Sequence, residues 1–266
     1  MSKLTAASGR SGWRHRARAG HLLLAAGVGA VLSCCLAGTP AANAAGLQLS
    51  VELSSKTPGS PTELAIHQVF PNGADGRPKM VKHGVYELAA VFHEGAMEAC
   101  RASDQDFDVE GLDACPASTA LGRGTASVIT GFGPPVDPLA TDIHIYHGPQ
   151  SEIYVFTPAG QSRPILQVAR ARVTGNTISE DPVYPNGWPP PNGKAAPTTI
   201  DVRYKPARAA YLTTPASCPA GGRWTSNAHL AYTDGSSDSV SSNARCIPSK
   251  RRHRHHRHHR RDHDGD

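Results

Sequence analysis

The sequence is poor in aromatic side chains (6%) and in charge (18% Asp, Glu, Lys and Arg), and it has three methionines in 266 residues. No apolar run reaches the roughly 20 residues a membrane-spanning helix needs. No Pro-free heptad series exists, which excludes a coiled coil, and no Gly-x-y period exists, which excludes collagen. Gly-x-Ser-x-Gly is absent, and with it the strained strand-to-helix elbow of a serine hydrolase. There is no phosphate-binding loop and no dinucleotide fingerprint. No Cys-x-x-Cys knuckle marks a zinc site. What is abundant is glycine (26) and proline (22). Their share is above average yet below that of low-complexity chains, so the sequence describes an ordered, turn-rich protein.

The formal charge of +5 is misleading, because it is gathered at the ends. Residues 1–45 hold Lys3, Arg10, Arg14, Arg16 and Arg18 and no acid. Residues 250–266 hold seven Lys or Arg against three Asp, and residues 46–249 hold 15 basic against 19 acidic residues. The middle is therefore mildly acidic. No basic domain face argues for a specific nucleic-acid partner.

Residues 1–45 have the order of a secretory signal peptide: a basic region, the apolar stretch His21–Leu36, then Ala42-Asn43-Ala44 as a small-x-small cleavage site. Cleavage after Ala44 or Ala45 places the protein outside the cytoplasm, secreted or held at the envelope. No Arg-Arg pair precedes the apolar run, so the twin-arginine route is not indicated. Val31-Leu32-Ser33-Cys34 loosely matches a lipobox, which makes lipidation of Cys34 an alternative to cleavage. Cys34 and Cys35 leave with the signal, and Cys100, Cys115, Cys218 and Cys246 remain. Four cysteines in an exported chain imply two disulfides with three connectivities. The local pairing, Cys100–Cys115 and Cys218–Cys246, closes short loops that contain turn residues.

Short runs of period two recur along 46–248, where successive side chains alternate between faces. Strands are predicted at 47–53, 64–70, 81–91 (one or two), 126–130, 141–147, 152–157, 165–173, 198–204, 225–232 and 237–242. Gly148–Ser151 and Asp234-Gly235 are hairpin turns. A helix-like pattern is confined to the loop at 103–114. Pro182–Pro197, with six prolines and two Asn-Gly pairs, is predicted as an exposed loop. The fold class is all-β: a disulfide-stabilised antiparallel β-sandwich over 46–248, followed by a disordered tail at 249–266. One domain, or two packed β subdomains with a seam near 131–138, both fit.

Cys100-x-Ala-Ser-Asp104, Ala114-Cys-Pro-Ala-Ser118, Gly122-x-Gly-Thr-Ala126, Gly131-Phe-Gly-Pro-Pro-Val-Asp-Pro138, Ala210-Tyr-Leu-Thr-Thr-Pro215, Cys218-Pro219, Gly222-Arg-Trp224 and Tyr232-x-Asp-Gly235 with a final cysteine form a set. As a set they resemble a group of exported actinobacterial all-β proteins of unassigned function. The resemblance implies export and the fold class. It carries no catalytic residue, and the His/Arg tail lies outside it.

Candidate sites follow from residue type. Asp104, Asp106 and Asp108 alternate as carboxylates do in a calcium loop. The positions that need Gly and Glu in an EF-hand hold Val109 and Cys115, so a solvated acidic loop is the plainer reading. Asp142, His144 and Tyr146 share one strand face, read as the polar outer face. Trp188 sits among prolines on the exposed loop, where it caps them or stacks on a ligand. Trp224 reads as core packed on the second disulfide. In the tail, His253, His255, His256, His258 and His259 lie close enough to wrap Zn²⁺, Ni²⁺ or Cu²⁺. The interleaved arginines oppose a dication and suit an anionic cell-wall polymer or acidic lipid. No cofactor and no catalytic residue is indicated elsewhere. The chain is thus expected to be an exported, non-catalytic binding or envelope-associated module. The alternatives are a secreted hydrolase on envelope polymers and metal binding through the tail.

Overall fold

The structure is a computed structural model and describes residues 46–182, 195–206 and 208–248. The signal segment, Cys34, Trp188 and the His/Arg tail lie outside the described residues. The described chain contains thirteen strands: β1 (Gln48–Leu53), β2 (Leu64–Val69), β3 (Val81–Glu87), β4 (Val91–Phe92), β5 (Ala120–Ile129), β6 (Leu139–Gly148), β7 (Ser151–Pro158), β8 (Gln167–Thr174), β9 (Thr177–Glu180), β10 (Ala196–Tyr204), β11 (Leu212–Thr213), β12 (Arg223–Tyr232) and β13 (Ser237–Arg245). One α-helix, α1 (Asp104–Glu110), interrupts them.

Eleven strands form one antiparallel sheet in the order β1-β2-β10-β5-β6-β7-β8-β9-β3-β12-β13, and β4 and β11 form a separate two-stranded ribbon. The sheet rolls until its end strands meet, and the Val51 N–H donates to Ser242 Oγ at 2.9 Å. The two layers of the expected sandwich are therefore walls of a single sheet. Alternation decides which side chains face in. On β2, Leu64, Ile66 and Gln68 are buried while His67 is exposed. On β12, Trp224, Ser226, Ala228, Leu230 and Tyr232 are buried and Arg223, Thr225 and His229 are not. Inward residues from both walls fill the core around Leu64, Leu121, Ile143, Ile145, Val173, Ile178 and Tyr204.

Two predicted boundaries need correction. Strand β5 starts at Ala120, well before the expected 126, because Gly122 and Gly124 lie within a paired strand. A Cβ on Gly122 would sit 2.2 Å from the Arg203 carbonyl oxygen, and one on Gly124 would sit 2.1 Å from that of Asp201. Glycine here permits close strand approach. The Pro-rich segment was expected to exclude any strand up to Pro197, yet β10 includes Ala196 and Pro197. Pro197 pairs with Val128 beside a register shift, where an N–H is not required of it.

The 131–138 segment is the loop joining the paired strands β5 and β6. Asp137 organises it by accepting from the Thr130 hydroxyl and from the N–H groups of Thr130, Gly131 and Gly133. Desolvation pushes this carboxyl up, but those hydrogen bonds outweigh it and its pKa falls to about 2. Asp137→Ala is expected to cost about 1–3 kcal/mol at pH 7, measured by denaturant unfolding.

Both disulfides take the local pairing, Cys100–Cys115 and Cys218–Cys246. The first ties down the segment that carries α1. Ser103 caps this helix in a capping box with Asp106, and Phe107 is fully buried against Cys100, Cys115, Tyr146, Ile153 and Val155 on the outer side of β6 and β7. Denatured oxidised protein should contain no titratable thiol among these four. Two or four thiols by Ellman titration would contradict the pairing.

Candidate functional site

Two features lie at opposite ends of the same inward-facing strands. At the end nearest Leu139 on β6, the rolled sheet opens into a pocket of about 120 Å³. Its wall is apolar: Ala126 and Val128 from β5, Leu139 from β6, Phe156 from β7, Ala169 from β8 and Ile200 from β10, with Phe70 and Val81 below. Thr141 also lines it but spends its hydroxyl on the Ala126 carbonyl at 3.2 Å. Glu180, at the end of β9, is the one ionisable side chain among the described lining residues. Its carboxylate lies over Gly84 of β3, where a Cβ would meet Glu180 Oε1 at 3.0 Å. Tyr86 Oη donates to Oε1 at 3.3 Å. Desolvation pushes the Glu180 pKa up, and the Tyr86 hydrogen bond pulls against it.

At the other end the interior is closed by the β4–β11 ribbon. Phe92 meets Tyr204 and Tyr211 edge-on, each at 6.0 Å between ring centroids. Beneath them Glu152 is completely buried. Its Oε2 lies 2.6 Å from Tyr154 Oη and 2.7 Å from Tyr204 Oη, and the two phenol oxygens lie 2.7 Å apart. Three oxygens in mutual contact need three protons, and two phenols supply two. The ring closes fully only when Glu152 carries the third. Burial acts in the same direction: desolvation lifts the Glu152 pKa to about 7, against the pull of the tyrosine hydrogen bonds. His147, directly across from Glu152 in the β6–β7 pairing, contacts the Tyr211 ring at 5.3 Å and engages the Glu98 carbonyl through Nδ1 at 3.0 Å. The cluster fastens the ribbon and the 98–100 segment to the sheet. Glu152, Tyr204 and Tyr211 are all buried.

The sites predicted from sequence are distributed differently. Asp104, Asp106 and Asp108 stand on α1. Asp106 is turned back to the Ser103 N–H at 2.7 Å, and Asp104 pairs with Arg170. Among the described residues no three His, Cys, Asp or Glu side chains gather around a common metal position. Asp142 and His144 share the outer side of β6, where Asp142 accepts from the Gly160 N–H at 2.7 Å and His144 is half-buried, its pKa lowered by desolvation. Tyr146 does not remain on a solvated face: α1 and its disulfide cover it, 6.5 Å from the Phe107 ring. Trp224 is buried against Ala89 and Cys246.

One arrangement was not visible in the sequence. Ser50, His67 and Asp201 stand in a row on adjacent strands β1, β2 and β10, with His67 Nδ1 2.6 Å from Asp201 Oδ1. The order matches a Ser-His-Asp triad. The backbone N–H groups of β2 and β10 belong to ladders on both sides, while β1, which carries Ser50, is laddered to β2 alone. The His and Asp side chains are about half exposed, at 49% and 56%, so water is not excluded.

In comparisons with known proteins, no family model matches the chain and no curated sequence matches it. Among solved structures it is similar to BcpA, the major pilin subunit of Bacillus cereus, and to a variant of that subunit. The match to each has 10% identity and a TM-score of 0.28, and covers 76% of this chain and 40% of the pilin chain.

Proposed function

We propose that the chain is an exported, non-catalytic binding module whose ligand seats in the apolar pocket at the open end of the rolled sheet. The observation that carries this reading is the pocket itself: a concave apolar wall with a single ionisable group among the described residues, which is the usual form of a small-ligand site. Export is supported by the signal-like residues 1–45, the resemblance to exported actinobacterial proteins and the two disulfides. The His/Arg tail at 250–266 adds a second contact, to an anionic wall polymer or acidic lipid, on the strength of its composition. The hydrolase reading is disfavoured by the exposure of His67 and Asp201 to water.

The test is calorimetric titration with hexan-1-ol, an uncharged apolar probe. The expected result is saturable binding that Ala169→Phe abolishes by filling the pocket, with the fold retained by circular dichroism. No saturation at millimolar probe, or binding untouched by Ala169→Phe in a folded variant, would overturn the pocket reading.

A further inference from the structure

The pocket carries one chemical feature beyond its apolar wall. Its only described ionisable lining residue is an acid, and no described cation forms an ion pair with that acid. His83, the nearest basic group on β3, is engaged with Asp181 at 2.8 Å. Lys79 is held over the Tyr232 ring at 4.9 Å and against Asp238. Tyr86 offers Glu180 a hydroxyl, which carries no charge. A carboxyl placed in an apolar wall without a cation is costly when ionised, and an arriving opposite charge offsets that cost.

Resting on the reading of the pocket as the ligand site, we propose that the ligand is a cationic amphiphile. Its ammonium group would seat against Glu180, and its apolar body would lie along Val128, Leu139, Phe156 and Ile200. Seating gives a carboxylate–ammonium pair, which offsets the cost of desolvating the Glu180 carboxylate. The groups facing Glu180 are Tyr86 and His83 on β3 and Asp181 beside it. Of these, Tyr86 stabilises the ionised product by hydrogen bonding, His83 favours it and Asp181 opposes it. A charge-assisted contact of this kind separates an amine from an alcohol of equal length by about tenfold or more.

The experiment titrates hexylamine, hexan-1-ol and hexanoate calorimetrically into the folded protein and into Glu180→Gln, at pH 7. The expected order is amine at least about tenfold tighter than alcohol, with hexanoate weakest. In Glu180→Gln the amine preference should disappear while hexan-1-ol still binds. If hexan-1-ol binds but the amine shows no preference, or keeps it in Glu180→Gln, the cationic-ligand inference is wrong and the pocket reading stands. If none of the three probes binds, the pocket reading itself fails and the inference falls with it.

Discussion

Raising the pH from about 4.5 to 8.5 is expected to remove about 3 kcal/mol of unfolding free energy through Glu152 alone. The group titrates at 4.5 in the ordinary reference state and at about 7 in the folded protein. Between those values the folded state holds more protons than the unfolded chain, so stability falls as pH rises. The contribution is complete below about 4.5 and is lost as the pH passes through about 7. The cause is burial: solvent is excluded from the site, and desolvation of the carboxylate outweighs the hydrogen bonds from Tyr154 and Tyr204. Glu152→Gln keeps the shape and cannot ionise. The variant is therefore expected to be more stable than wild type at pH 8.5 and no more stable at pH 4.5. The difference between the two denaturation profiles isolates Glu152 from Glu180, whose raised pKa adds a slope of the same sign. Parallel profiles for wild type and variant would contradict the buried-proton account.

Trp224→Ala is expected to cost about 3–5 kcal/mol, which lowers the melting temperature by roughly 10 °C. The indole is 3% exposed and lies against Ala89, Cys246 and the flanking Leu53 and Cys218. Its Nε1–H donates to the Ser217 carbonyl at 2.8 Å. Truncation opens a cavity beside the Cys218–Cys246 disulfide and leaves that carbonyl without its donor. Trp224→Phe retains most of the volume and should lose only the hydrogen bond, about 1 kcal/mol. The two substitutions thus separate packing from polar anchoring. A melting curve unchanged in Trp224→Ala would refute its place in the core.

Regular strands were legible in the sequence because one face is buried and the other is not. Leu64, Ile66 and Gln68 against His67, and Ile143 and Ile145 against Asp142 and His144, alternate cleanly. The local disulfide pairing was legible as well, since each pair encloses a turn-rich loop. Strand β9 was not, because Thr177–Glu180 is four residues long and contains a single strongly apolar side chain. The first half of β5 was hidden by Gly122 and Gly124, whose role depends on the backbone of β10. Glu152 and Glu180 were missed for a related reason. Each sits at a strand end, where a charged residue ordinarily meets solvent, and the enclosure of each is completed by elements distant in sequence. A signal existed for Glu152: it shares strand phase with Tyr154 and Phe156, and so belongs on the same inner face. No comparable signal joined Ser50, His67 and Asp201, which the strand order brings together from three remote segments.

The most direct test of the central claim is the location of bound probe. Methyl-selective NMR of the folded protein, titrated with hexan-1-ol, reads the pocket wall residue by residue. The account predicts saturable shifts at the methyls of Ala126, Val128, Leu139, Ala169 and Ile200, with none at Leu121, Val173 or Leu212. Shifts that scatter over the surface without saturating, or that leave the five pocket methyls unmoved, would contradict it.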